Sequence, residues 1–307
     1  MKKFFSSKPF ILTIGTLAIA SLLPFGVSDY ILGVLTTAFY FAVFSMSWDL
    51  LFGYAGEVNF GPTFLIGLGA YGAGMADSLL NLPVPVCILI GALAAVIGGV
   101  ALAIPALRLT GPYLGLITLV AVLLLQQVIV IFAGVTGGEI GLSMPDVLSV
   151  NSAPNYEYAL AFMTVSGAIL FAISRSNFGL ILQAAGQDPI AARALGFNIT
   201  KHKIAAFAIS ALFSGLSGAL LVFYLGTASV NAVVDIAIGV RVIIAAVLGG
   251  RRTIIGGAIG AIFLIVAGEI LRPLGQLSTL VVAIMALIVI MVSPDGLLGM
   301  LRARRTT

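Results

Sequence analysis

Residues 175–203 read RSNFGLILQAAGQDPIAARALGFNITKHK, the longest clearly polar interior run in a chain that is otherwise mostly apolar. Within this run, residues 187–196 write both ends of a short helix. Asp188 accepts from the free N–H groups of the first turn, and Pro189 at the next position lacks the N–H that would have no partner there. Gly196 ends the helix, because glycine takes the left-handed conformation without a Cβ clash. Two turns are too short to persist alone in water. Ile190, Ala191, Ala194 and Leu195 fall on one side, a mostly small face suited to a groove on another protein. The plainer alternative is a surface helix that links two membrane segments.

Outward from this run the chain is an integral membrane protein. Hydrophobic residues make up 61% and charged residues 8%, against about 25% charged in a soluble domain. One cysteine, Cys87, excludes an internal disulfide, and the one histidine, His202, lies in the polar run. That inventory assembles neither a zinc site nor a Cys/His catalytic group. The net charge of +4 comes from basic residues placed between apolar segments, so it marks topology and not nucleic-acid binding.

Cut at charges and at Pro/Gly clusters, the apolar segments are 10–27, 31–52, 62–80, 84–105, 112–134, 158–174, 203–226, 235–250, 253–271 and 276–293, ten in all. The basic start Met1 to Lys8 and the run up to Val27, with Ala18-Ile19-Ala20 inside it, resemble a signal peptide. The length of that run and the charge balance favour a retained span. With both termini cytoplasmic, Lys2, Lys3, Lys8, Arg108, Arg175, Arg193, Lys201, Lys203, Arg251, Arg252, Arg302, Arg304 and Arg305 all face inward, which is 13 of the 15 basic residues. This is the positive-inside arrangement. Asp29, Asp77, Glu139, Asp146 and Glu157 fall on the opposite side. The expected fold is therefore an all-α polytopic membrane protein of about ten helices, residues 1–307 forming one permease-like domain with a cytoplasmic loop at 176–202.

Two segments read as broken or re-entrant. Residues 53–62 place Glu57, Asn59, three glycines and Pro62 at a membrane boundary, and the segment 235–250 has only 16 residues with Arg241 inside it. At 1.5 Å per residue it reaches about 24 Å, short of the roughly 30 Å hydrocarbon layer. Irregular backbone at that depth is tolerated where it is buried in protein or lines a water-filled cavity. Glu57 and Asn59, together with Tyr113, Thr118, Gln126 and Gln127 of the fifth segment, are the candidate pathway residues, because buried polar groups need partners that a passing zwitterion or amide supplies. Hydrogen bonds between helices are the alternative use. Glycine clusters at 67–74, 215–218 and 256–260 read as tight helix contacts. No GxxxxGK[ST] phosphate loop is present. Residues 53–74 and 249–261 are alike enough to suggest an internal repeat relating segments two to five with seven to ten.

Gly53-Tyr-Ala-Gly-Glu-Val-Asn-Phe-Gly61, Arg108-Leu-Thr-Gly-Pro-Tyr-Leu-Gly-Leu-Ile-Thr118, Thr136-Gly-Gly-Glu-Ile-Gly-Leu142, the loop helix and Leu248-Gly-Gly-Arg-Arg-Thr-Ile-Ile-Gly-Gly257 resemble, in order, blocks of the M-type permeases of branched-chain amino acid ABC importers. The likeness spans nearly the whole chain. The family's early motif commonly continues with a histidine where Pro62 stands. The resemblance implies a type II importer permease in the inner membrane that carries branched-chain amino acids or related small polar solutes. It further implies an H-type permease partner, two cytoplasmic ATPases that hold ATP and magnesium, and an extracytoplasmic binding protein. Gln187, Asp188, Pro189, Ala191, Ala192, Arg193, Leu195 and Gly196 would then form the coupling helix that docks on the ATPase, and the chain itself would be no enzyme and hold no cofactor. The competing class is a secondary transporter with Glu57, Asp235 or Glu269 as the ion site. A scaffold without transport is the third.

Overall fold

In the computed structural model, residues 20–109, 111–275, 277–292 and 296–298 are described. The principal elements are α1 (Asp29–Asp49), α2 (Pro62–Leu80), α3 (Val84–Ala106), α4 (Pro112–Ile131), α5 (Ala133–Thr136), α6 (Ser152–Arg175), α7 (Asn177–Gln187), α8 (Pro189–Ala194), α9 (Ile199–Leu225), α10 (Val230–Val233), α11 (Ile236–Gly249), α12 (Ile255–Ile270) and α13 (Leu277–Val292). One two-stranded antiparallel ribbon, β1 (Leu142–Ser143) with β2 (Thr227–Ala228), ties two connections together. Among the described residues, seven helices are long and apolar enough to cross a membrane: α1 extended to Tyr54, α2, α3, α4, α6, α9 and the stretch Val230–Gly249. The helices α12 and α13 are shorter and apolar. Of the expected first segment, 10–27, residues 10–19 lie outside the described ones, and within the rest Leu23–Phe25 form a short 3-10 turn.

The helix α9 runs antiparallel to α1 along a seam of hydroxyls. The Tyr224 hydroxyl donates to the Gly33 carbonyl, Ser217 donates to the Tyr40 carbonyl, and Ser47 and Ser214 share a hydrogen bond of 2.8 Å. On its other side α9 fits against α2 and α3, where glycine lets the backbones meet. A Cβ at Gly69 would lie 2.3 Å from the Gly215 carbonyl oxygen, and one at Gly218 would lie 2.4 Å from that of Ile66. The first helix does the reciprocal thing: α1 packs on α11 and α12, with Gly257 of α12 against the backbone of Ser45. The two halves thus exchange their leading helices.

The bundle has a basic and an acidic end. At the basic end the Gly53–Gly61 connection meets α7 and the start of α9, and Arg175, Arg193, Arg251 and Arg252 are exposed nearby. At the other end lie the β ribbon, a buried Asp77 whose carboxylate accepts from the Asp146 N–H, and Glu269, which accepts from Tyr30 and Arg272.

Candidate functional site: the basic end and the face of α4

The polar run 175–203 folds as α7, a sharp turn, α8 and the first turn of α9, so a second helix, Asn177–Gln187, precedes the one read from the sequence. Asp188 caps α8 with one carboxylate oxygen, accepting from Ile190 N at 2.9 Å and Ala191 N at 3.0 Å. Pro189 is its first residue, and Gly196 follows in the left-handed region at φ +87°. Gln187 closes α7 and is exposed. Ala192 is the one α8 residue turned inward, meeting Ala185 and Ile199. Ala191, Arg193 and Ala194 are exposed, and so are Ile190 and Leu195, at 80% and 75%. A capped helix that holds on by a single alanine presents two large aliphatic side chains to the outside.

Immediately beneath it, α1 ends in a π turn over Leu50–Tyr54. The turn is secured by Asp49, whose fully buried carboxylate accepts from the backbone N–H groups of Arg252 (3.1 Å), Thr253 (3.1 Å) and Ile254 (3.0 Å). Two of these residues, Arg252 and Ile254, have φ of 60° and 53°, a conformation that non-glycine residues hold only when their surroundings over-determine it. Further ties join the same two segments: Arg252 Nε donates to the Gly53 carbonyl, the Tyr54 hydroxyl donates back to the Arg252 carbonyl, and the Arg251 guanidinium lies over the Phe52 ring. Asp49→Ala would strip the acceptor from three backbone donors, and at about 1–3 kcal/mol for each one that water does not reach we expect a loss of about 3 kcal/mol. The transition temperature in detergent should drop and trypsin should cut after Arg251 or Arg252 sooner, with Asp49→Asn affected less because it retains one oxygen. An Asp49→Ala chain that melts with the unsubstituted one would show that the clasp contributes nothing to stability.

Residues 55–61 leave the π turn as irregular backbone. Asn59 is buried; its carbonyl accepts from Trp48 Nε1 at 2.7 Å, and its Oδ1 accepts from Gly61 N at 2.8 Å. Thr118 of α4 accepts from Phe60 N at 3.0 Å and donates to the Gly115 carbonyl at 2.8 Å. Thr118 holds the connection against α4, while the Asn59 side chain closes a turn within the connection and its carbonyl ties it to α1. Glu57 pairs with Lys203 of α9.

The remaining polar residues of α4 divide. Gln126 donates to the Val234 carbonyl at 3.1 Å, a group freed where α10 stops and Asp235 starts α11 by accepting from Ala237 N. The stretch 235–250, expected to be too short to span, is continued by α10, and Val230–Gly249 together is long enough to cross a membrane. Tyr113 and Gln127, expected between helices, lie on the outer surface of the chain. They share a stripe with Leu116, Val120, Leu123, Leu124, Val128 and Ile131, all exposed. An amide in the middle of an apolar face costs energy against lipid tails, so this stripe suits a protein partner or a wet path better than acyl chains. Arg241 is exposed on α11. The three carboxylates weighed as ion sites are engaged already: Glu57 by Lys203, Asp235 by a helix start, and Glu269 by Tyr30 and Arg272.

Known proteins resemble this chain along most of its length. Residues 30–293 match the model of a family described as the permease component of the branched-chain amino acid transport system. A high-affinity branched-chain amino acid transport system permease protein, LivM, of Salmonella typhimurium is 26% identical over 93% of this chain and 74% of its own length. A LivM permease of Methanocaldococcus jannaschii is 25% identical over 75% of this chain and 77% of its own. The fructose import permease protein FrcC of Rhizobium meliloti is 30% identical over 39% of this chain and 35% of its own. No solved structure matches.

Proposed function

The chain belongs to the family of branched-chain amino acid ABC transport permeases, and from that premise we propose that it is one membrane half of a binding-protein-dependent importer, coupled to ATP hydrolysis through α8. The observation that carries this is the exposure of Ile190 and Leu195 on a capped, self-contained helix at the basic end. A helix of six residues that leaves Ile190 and the following Leu195 mostly exposed completes its packing in a groove of a partner.

In this reading the fold is a type II importer permease of about ten spans in the inner membrane, with both termini in the cytoplasm on the side of the basic end. Two cytoplasmic ATPases hold ATP and magnesium, a related H-type permease covers the α4 face, and a binding protein delivers the solute at the acidic end. Branched-chain amino acids are the leading solutes, as in the relatives' names; amides, urea and other amino acids are chemically close. Gln126, Gln127 and Tyr113 lie along the helix that faces the second permease, with Glu57, Asn59 and Thr118 where the connection to α2 enters. ATP binding favours one packing of the ATPase pair, and the docked helix carries that preference into the bundle. Since the three candidate ion-site carboxylates are held by partners of this chain, an ion-driven cycle has less to work with.

The test is energetic. In vesicles that contain the permease pair, the ATPases and the binding protein, leucine uptake should stop when ATP is withheld and persist when an uncoupler collapses the ion gradients. Uptake that follows the gradient and ignores ATP would replace the importer by a secondary transporter.

A further inference from the structure

The helix that leads into α8, the ATPase-facing helix of this reading, meets the membrane bundle closely at Gly186. Gly186, one turn before α8, lies so near the π-turn exit that a Cβ on it would stand 2.7 Å from the Tyr54 carbonyl oxygen and 3.0 Å from Gly56 N. Gly56 answers with φ +71°, its own Cβ position 3.0 Å from the Gly186 Cα. Glycine is needed on both sides of this contact, at Gly56 also for its backbone conformation. Next to it Glu57 and Lys203 form an ion pair whose side chains are only 12% and 15% exposed, so water and salt screen it less than a surface pair.

The chain beyond Glu57 has no slack. Asn59 is fixed to Trp48, Phe60 to Thr118, and Gly61 sits where a Cβ would be 2.1 Å from the Thr118 carbonyl. Phe60 in turn lies on Gly115. A displacement of α8 and α7 therefore pushes on residues 55–61, and those residues are fastened to α4, the helix with Tyr113 and Gln127 on its outer face.

We infer that the Gly56–Gly186 contact and the Glu57–Lys203 ion pair form the joint through which movement of the ATPase-docking helix reaches α4. This rests on the importer reading. Glu57 is then a positioning residue that acts through the backbone of its own connection and does not meet the solute. The pair links α9 to the connection as well, so the joint gathers the middle and the end of the polar run 175–203 onto one non-helical segment. An interlocked element of this kind transmits force because it is close-packed and can exchange only between discrete arrangements.

The experiment is a charge exchange in the complete complex in vesicles, reading ATPase retention, ATP hydrolysis and solute uptake together. Glu57→Lys and Lys203→Glu each put like charges side by side, and we expect uptake per ATP hydrolysed to fall by about tenfold or more, the size of an ordinary coupling between sites. ATPase retention and hydrolysis should stay within about twofold, since the coupling and not the docking face is altered. The double exchange restores the pair with its sense reversed and should recover most of the ratio. Single reversals that leave the ratio unchanged would overturn the joint, and so would a double exchange that recovers nothing. Loss of the ATPase from the single variants would overturn it too, since the pair would then belong to the docking face. If the unsubstituted complex takes up solute without ATP, the importer reading fails first, and that outcome is visible before any variant is made.

Discussion

Leu195→Arg should abolish uptake and release the ATPase on purification, while the chain itself inserts and stays folded. The two halves of this expectation come from one number: Leu195 is 75% exposed, so within its own chain the substitution is a surface change worth at most about 0.5 kcal/mol. In the docked complex the same position becomes apolar and closed. An unpaired guanidinium there costs several kcal/mol, more than a contact made by so small a helix can offset when one central residue carries much of it. Asp188→Ala provides a graded companion, because losing a cap that accepts two N–H groups weakens the helix by about 1 kcal/mol without placing anything foreign in the groove. Uptake should fall in part and some ATPase should remain bound. Co-purification and uptake measured on both variants decide the matter: a Leu195→Arg complex that retains its ATPase and transports normally would reduce α8 to a connector.

Gly69→Val is the change expected to damage the fold most. A Cβ at Gly69 would lie 2.3 Å from the Gly215 carbonyl oxygen and 2.4 Å from the Gly215 Cα, and the position already faces Gly91, whose own Cβ would lie 2.3 Å from the Gly69 carbonyl. Three helices, α2, α3 and α9, meet there backbone to backbone. No side chain is available to rotate away, so a valine must drive α9 off α2, with a loss of about 3 kcal/mol or more. Gly268→Ala is the matched control on another helix, with nothing within 4 Å; there the substitution should be neutral or stabilise by about 0.5–1 kcal/mol through helix propensity. The two are compared by yield and by thermal unfolding in detergent. A Gly69→Val chain with the yield and melting temperature of the unsubstituted one would mean that the three-helix contact is looser than described.

What could be read from the sequence was what is local. Asp188, Pro189 and Gly196 write α8 at both ends within ten residues, and the structure follows them. The apolar stretches overlap the seven helices long enough to span, but the shortness of 235–250 misleads, because α10 continues it to Val230. Asp49 was missed because its partners, Arg252 to Ile254, are some 200 residues away, although a carboxylate near the end of an apolar segment is itself a signal. The polarity of Asn59 and Thr118 does not by itself reveal that their side chains accept from the backbone N–H groups of Gly61 and Phe60. The helix α7 was hidden because Phe178, Leu180, Ile181 and Leu182 sit among polar residues without a cap of the kind that Asp188 supplies. Tyr113 and Gln127 were expected inside because a single sequence does not say which face of α4 its own chain covers.

The exchange of leading helices between the halves also sets a timetable for synthesis. The helices α2 and α3 enter the bilayer with glycine faces shaped for α9, whose last residue, Leu225, emerges about 130 residues after Gly91. At ribosomal speed that is a wait on the order of ten seconds, during which the first half has its notch open and α1 has not met α11 or α12. Nascent chains stalled before residue 199 should therefore be easy prey for membrane proteases, and those stalled after α9 has cleared the exit should abruptly cease to be.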